Sequence, residues 1–182
     1  ITIVATIIGL IVFCRLLRLS KQGAYILDRF KLSIPIMGGI LKKTIIARFC
    51  RTLGTLLSAG VPILEALSTT AQTTGNEVYE RALMKVRSSI REGETISKPL
   101  SQARIVDSMV VNMIDVGEET GELDKMLERI ANTYEEEVDT AVSSLVSLLE
   151  PVMIILLGAI VGFIVISLFM PMIGMLQAVQ NQ

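Results

Sequence analysis

The chain has 182 residues, 51% of them hydrophobic, yet it carries 17 basic and 18 acidic side chains for a formal net charge of −1. A mean hydropathy of +0.60 beside so many charges argues for a polar domain joined to membrane segments and against a soluble globule. Histidine is absent, which removes the commonest general base and metal ligand, and Cys14 and Cys50 offer neither a disulfide framework nor a cysteine metal site.

Ile1 to Cys14, ITIVATIIGLIVFC, is an uncharged run followed by Arg15, Arg18 and Lys21. Signal peptides place their basic residues ahead of the apolar core, so this order favours a transmembrane helix over residues 1–17. Fourteen apolar residues are short for a span; Leu16, Leu17 and snorkelling arginines lengthen it, and its beginning is expected to precede Ile1. Residues 18–44 read as a basic connector, in which Pro35 and Gly38-Gly39 disfavour a continuous helix. Lys42, Lys43, Arg48 and Arg51 then cluster, which suits anionic headgroups, an acidic partner surface or simply a solvated helix face.

From Thr44 the apolar spacing is helical. Ile45, Ile46, Phe49, Leu53, Leu56 and Leu57 form one stripe opposite Arg48, Arg51 and Thr55. Gly60 stops this helix and Pro62 starts the next, which carries Ile63, Ala66 and Leu67. Asn76 is placed to cap a third, with Tyr79, Leu83, Val86 and Ile90 facing inward and Glu77 paired with Arg81 outside. Ser97 is expected to cap a short helix with Pro99 in its first turn, and Asp107 another that buries Val110, Val111, Met113 and Ile114.

Gly117-Glu-Glu-Thr-Gly121 then reads as a hinge of two glycines around two acids. Beyond it runs a seam through Leu123, Leu127, Ile130, Tyr134, Val138, Ala141, Leu145, Leu148 and Val152, in steps of three and four. The seam leads into Val152 to Met170, nineteen residues without a charge. At ~1.5 Å per residue that length just crosses a ~30 Å hydrocarbon core. Pro151 either kinks the helix or separates two. Strand-like alternation is lacking, so the expected fold is all-α: an antiparallel cytoplasmic bundle of about six helices over residues 45–149, flanked by the N-terminal span and by a C-terminal transmembrane helix over residues 150–176. Every Lys and Arg lies between Arg15 and Arg129, so the bundle is expected in the cytoplasm and the tail, residues 177–182, on the far side.

No phosphate-binding GxxxxGK[ST] loop or Gly-x-Ser-x-Gly elbow occurs, and a serine triad lacks its histidine. No catalytic, metal or cofactor site and no nucleic-acid partner is therefore expected. Glu135, Glu136, Glu137 and Asp139 point in different directions around a helix, which suits a solvated face or a surface for basic partners better than a cation site. Glu150 is expected at the membrane boundary beside Pro151, near Arg15 or Arg18 of the other span, with a buried switch as the alternative. Gly158 and Gly162 form a GxxxG that permits close helix packing, and with it an oligomer contact.

Three stretches resemble one known family. Ala47 to Leu67, ARFCRTLGTLLSAGVPILEAL, is similar to the opening of a repeat domain in the inner-membrane platform proteins of type IV pilus and type II secretion machines. Gly117-Glu118-Glu119-Thr-Gly121-Glu122-Leu123 resembles that family's Gly-Glu-x-x-Gly-x-Leu motif, and Leu148-Leu-Glu-Pro151 with Met170-Pro171-Met172 resembles its C-terminal end. Ile105-Val106-Asp107 departs from a Phe-Pro common in relatives, which touches local loop geometry only. The resemblance implies the second half of such a protein, in a bacterial inner membrane and without enzymatic activity. It implies a cytoplasmic hexameric ATPase, pilin or pseudopilin, other inner-membrane components, the lipid bilayer and a second copy as partners. Gly117, Glu118, Glu119, Gly121, Glu122, Arg48 and Arg51 are then candidates for partner contact and coupling, although acids at a helix–helix turn also have a purely structural use. A membrane transporter or channel subunit remains a second reading. It calls for ionisable groups inside the spans, and Val152 to Met170 supplies none.

Overall fold

The computed structural model describes the backbone of residues 21–180 and the side chains of residues 22–170; the expected span over residues 1–17, with Cys14, lies outside the described residues. Seven α-helices are found among them, and no strand: α1 Lys21–Ser33, α2 Met37–Ser58, α3 Ile63–Thr73, α4 Glu77–Arg91, α5 Ser97–Ala103, α6 Ser108–Thr120 and α7 Leu123–Gln180. The all-α expectation is met, and the six helices read from Thr44 onward are α2 to α7. The chain divides into two compact units at Asp139/Thr140.

In the first unit α2 packs against α1 and α3, α4 against α1, α3 and α5, and α5 against α6. The core is built from the stripes that the sequence shows: Phe49 and Leu53 of α2, Leu67 of α3, Leu83 and Val86 of α4, Ile114 of α6, and Leu127, Ile130 and Tyr134 of α7 are all buried. Local chemistry sets the helix ends. Asn76 Oδ1 accepts the backbone N–H groups of Val78 at 3.0 Å and Tyr79 at 3.4 Å, and Asp107 Oδ1 accepts that of Val110 at 3.0 Å. Both are side-chain N-caps as read from the sequence. The Glu77–Arg81 pair is also present, at 2.8 Å, with the Arg81 guanidinium 4.8 Å above the Tyr25 ring of α1.

Two local expectations are corrected. Ser97 does not cap α5: it is the helix's first residue, the cap position belongs to Ile96, and no side chain of the helix's own closes that end. In the expected connector the interruption at Pro35 is present, as a break over Ile34-Pro35-Ile36, but Gly38-Gly39 does not break the chain's helix: the pair lies inside α2, and residues 21–33 are helical as well. Met37 N–H donates to the Pro35 carbonyl at 2.8 Å, closing a γ-turn in which Ile36 holds φ 68° and ψ −63°. That region costs a β-branched residue on the order of 1–3 kcal/mol.

The second unit is the remainder of α7. Among its residues up to Met170, the large apolar side chains from Val152 onward are all exposed. So long an uninterrupted apolar surface calls for a non-aqueous surrounding, of which lipid is one. The helix is long and apolar enough to cross a membrane, with a mean hydropathy of 3.0 in its most apolar window. It continues through Pro151 as one assigned helix, which decides between the two readings of that proline.

The turn between α1 and α2 yields a paired prediction. A Cβ on Gly38 would lie 2.4 Å from the Leu32 carbonyl oxygen, whereas one on Gly39 would meet nothing within 4 Å. Gly38→Ala is expected to destabilise the domain by about 1–3 kcal/mol, and Gly39→Ala to stabilise it by up to ~1 kcal/mol through helix propensity. Thermal melts of the two variants check the contrast.

Candidate functional site

The motif Gly117 to Leu123 forms the elbow between α6 and α7, but it is not a hinge of two glycines. Gly117 lies within α6, buried, and a Cβ there would stand 3.0 Å from Leu123 Cα and from Met126 Cγ. Its role is to let the start of α7 approach α6. Only Gly121 takes a left-handed conformation, with φ 75°, and so ends α6. The two acids between them divide. Glu118 turns inward and its carboxylate accepts the Ile96 N–H at 2.9 and 3.1 Å, closing the start of α5 that Ser97 leaves open. Glu119 is exposed and has no ion pair among the described residues. Glu122 pairs with Lys125 at 2.5 Å in the first turn of α7, where acids also complement the helix dipole. This pairing holds the Lys125 ammonium above its ordinary pKa.

A second tie joins α7 to the start of α6. The Tyr134 hydroxyl donates to Asp107 Oδ2, and the same carboxylate caps α6 through Oδ1. Burial and then this hydrogen bond push the Tyr134 phenol well above its usual range. Burial, with Asp107 nearby, does the same to the Cys50 thiol, which is fully enclosed and unreactive in that form. Sequence reading identified the cap but missed the tyrosine, because twenty-seven residues separate the partners and nothing in their spacing links them.

The basic and acidic clusters meet one another. Arg51 Nε donates to Glu135 Oε1 at 3.1 Å, while Nη2 donates to Glu135 Oε2 at 2.6 Å and to Asn132 Oδ1 at 2.5 Å. Lys43 pairs with Glu137 at 2.8 Å. The fork-to-carboxylate hydrogen bonds hold Glu135 below, and Arg51 above, their ordinary pKa values. Two of the four basic residues are thus engaged within the chain, while Arg48 and Lys42 remain exposed. Arg48 and Arg51 line an open cleft of about 470 Å³ between α2 and α7, with Glu135, Val138 and Asp139 on its other wall. Among the described residues no group of His, Cys, Asp and Glu is arranged to hold a metal ion. Glu150 is exposed on α7 beside Pro151, and its expected partners Arg15 and Arg18 lie outside the described residues. Gly158 and Gly162 face open space, with nothing within 4 Å of a Cβ built on either.

A helical domain whose last core helix continues into an apolar segment of membrane-crossing length, with no assembled catalytic group among the described residues, defines a membrane-associated helical module. Residues 49–171 match the family described as type II secretion system (T2SS), protein F. The chain is 45% identical over 161 residues to the type IV pilus assembly protein PilC of Myxococcus xanthus, covering 88% of this chain and 39% of that protein. It is 47% identical over 154 residues to PilC of Thermus thermophilus, covering 84% and 38%, and 35% identical over 150 residues to the type II secretion system protein F of Pseudomonas aeruginosa, covering 82% and 37%. The chain belongs to this platform-protein family of type IV pilus assembly and type II secretion, as its motifs implied. It spans about two-fifths of the length of these relatives.

Two predictions follow from the geometry. Glu118→Ala strands the half-buried Ile96 N–H and is expected to cost about 1–2 kcal/mol, read by chemical denaturation, whereas Glu118→Gln keeps an acceptor and loses less. Glu135 is more acidic folded than unfolded, so its pairing stabilises the protein above the unfolded carboxylate pKa and is lost as pH falls through the folded value. Both partners are more than a third exposed, so solvent screening limits the effect to a few tenths of a kcal/mol. Melting temperature between about pH 5 and pH 3 should therefore fall slightly less in Glu135→Gln than in the parent chain.

Proposed function

We propose that this chain is the membrane-anchored coupling part of a platform protein that relays displacement by a cytoplasmic hexameric ATPase to pilin-like subunits in the membrane. The single observation that carries the proposal is α7. Its first turns supply Leu127, Ile130, Ala131 and Tyr134 to the core, and the same helix goes on to the apolar stretch Val152 to Met170. A push on the bundle therefore has a covalent, hydrogen-bonded element through which to act. The elbow at Gly117 to Glu122 sets where that element starts. Its exposed acids, Glu119 and Glu122, together with Arg48 on α2, are the residues we assign to partner contact. Glu118 and Arg51 instead hold the site's shape. The closer identity to PilC proteins than to the secretion protein F favours a pilus over a secretion machine.

In this reading the protein is non-enzymatic, the bundle is cytoplasmic, the C-terminal end extracytoplasmic, and the span passes through a bacterial inner membrane as one of several. Pilin or pseudopilin, other inner-membrane components and a second copy of the chain are its remaining partners, with Gly158 and Gly162 available for close helix packing. A transporter or channel subunit remains the competing class.

The elbow provides the test. Gly121→Pro is unsuitable, since proline cannot hold φ 75° and the fold itself would suffer. Glu119→Lys and Glu122→Lys change exposed charges; the first should leave folding stability within about 0.5 kcal/mol of the parent, and the second, which also loses the Lys125 pair and the helix-dipole complement, within about 1.5 kcal/mol. Expressed in the complete protein, they should lower capture of the cognate ATPase and surface pilus number while membrane insertion persists. Unchanged capture and wild-type pilus levels in both would refute the assignment. Ion flux through proteoliposomes holding the protein alone would favour the transporter class.

A further inference from the structure

The segment from α1 into the start of α2 carries an apolar surface that the domain does not use. Ile26 is 66% exposed, Phe30 70% and Ile36 69%, and Ile34 and Met37 are exposed beside them. Phe30 follows Ile26 by one helical turn, so the two share a face. The opposite side of α1 is the docked one, through buried Asp28 and half-buried Leu32.

Charge on this segment has one sign where it faces water. Between Arg15 and Arg51 the only acid is Asp28. That carboxylate is turned into the fold, where Oδ2 accepts the Glu77 N–H at 3.1 Å and Oδ1 pairs with Lys31 at 2.9 Å. Arg29 and Lys42 are exposed. The segment thus exposes large apolar side chains and basic groups and no acid of its own.

Folding alone does not account for Ile36. A β-branched residue holds the strained positive-φ turn, and its side chain reaches no core that would reward it. Placement supplies the second constraint. Lys21 follows Leu17, the last residue of the expected first span, by four residues, a reach of at most roughly 14 Å. If residues 1–17 cross the bilayer, α1 begins within reach of the headgroup layer.

We propose that this face of α1, with the Ile34-Pro35-Ile36 turn, lies on the anionic lipid surface of the membrane that anchors the chain. Ile26, Phe30 and Ile36 enter the headgroup–acyl boundary, and Arg29 and Lys42 contact lipid phosphates. The inference rests on the membrane-anchored reading above, and it adds a lateral attachment that fixes the bundle against the bilayer.

The chain contains no tryptophan, so single introduced tryptophans report without background. The full chain is reconstituted in phosphatidylethanolamine–phosphatidylglycerol bilayers, with or without bromine on the acyl chains, as Phe30→Trp, Met109→Trp or Ile160→Trp. Met109 is exposed on α6, which does not pack on α1, and Ile160 is exposed within the apolar part of α7. The expected result is blue-shifted, bromine-quenched emission from Phe30→Trp and Ile160→Trp and water-like, unquenched emission from Met109→Trp. Quenching of Phe30→Trp should weaken when phosphatidylglycerol is omitted or when Arg29→Glu and Lys42→Glu are added. Quenching at Ile160→Trp with water-like emission from Phe30→Trp would overturn the proposal and leave the anchored reading intact. Blue-shifted but unquenched Phe30→Trp would assign the face to a protein, including a second copy, and overturn it as well. Absence of quenching at Ile160→Trp would sink the anchored reading and this one together.

Discussion

The burial of Leu127, Ile130, Ala131 and Tyr134 against the rest of the bundle is the interaction on which the other features depend. Gly54 of α2 makes it possible: a Cβ there would stand 3.2 Å from Leu127 Cβ and 3.4 Å from the Asp124 carbonyl oxygen. The two backbones can approach only because that position lacks a side chain. Once α7 is seated, Arg51 reaches Glu135 and Asn132, Lys43 reaches Glu137, and Tyr134 reaches Asp107. The apolar contacts supply the energy and the charged ones fix rotation about the helix axis, since exposed ion pairs contribute little stability of their own.

The elbow shows how a short motif can serve two purposes without moving parts. Gly117 gives close approach, Gly121 ends a helix, and Glu118 completes the cap of a third helix that is remote in sequence. The remaining acids are left outward. A motif of this kind is expected to be sensitive to substitution at every position, but for different reasons. Loss of function there says little about partner binding until stability has been measured separately.

The segregation of charge along the chain acquires a meaning in the folded domain. Part of the basic stretch neutralises part of the acidic one across α2 and α7, so the two are not both free for partners. Among the described residues, what remains exposed is a smaller set: Arg29, Lys42 and Arg48 of the basic stretch, and Glu119 and Asp139 among the acids. From the sequence alone each cluster looks more available than the fold leaves it.

Unlike α1, the six helices from Thr44 onward, their inward faces, the caps at Asn76 and Asp107 and the apolar end of α7 were legible in the residues. Each depends on spacing within one helix or one turn, and such local periodicity is written directly in the order of side chains. The family was legible for a similar reason, because its motifs are contiguous. The positive φ of Ile36, the inward turn of Glu118, the pairing of Arg51 with Glu135 and the bare face of α1 were not. They depend on which surfaces meet after chain segments tens of residues apart have packed, and on whether a glycine is wanted for its dihedral angle or for the room it leaves. The sequence by itself determined what can be helical and what can enter lipid; only the tertiary structure decided which charges are spent on the fold and which apolar side chains are left without cover.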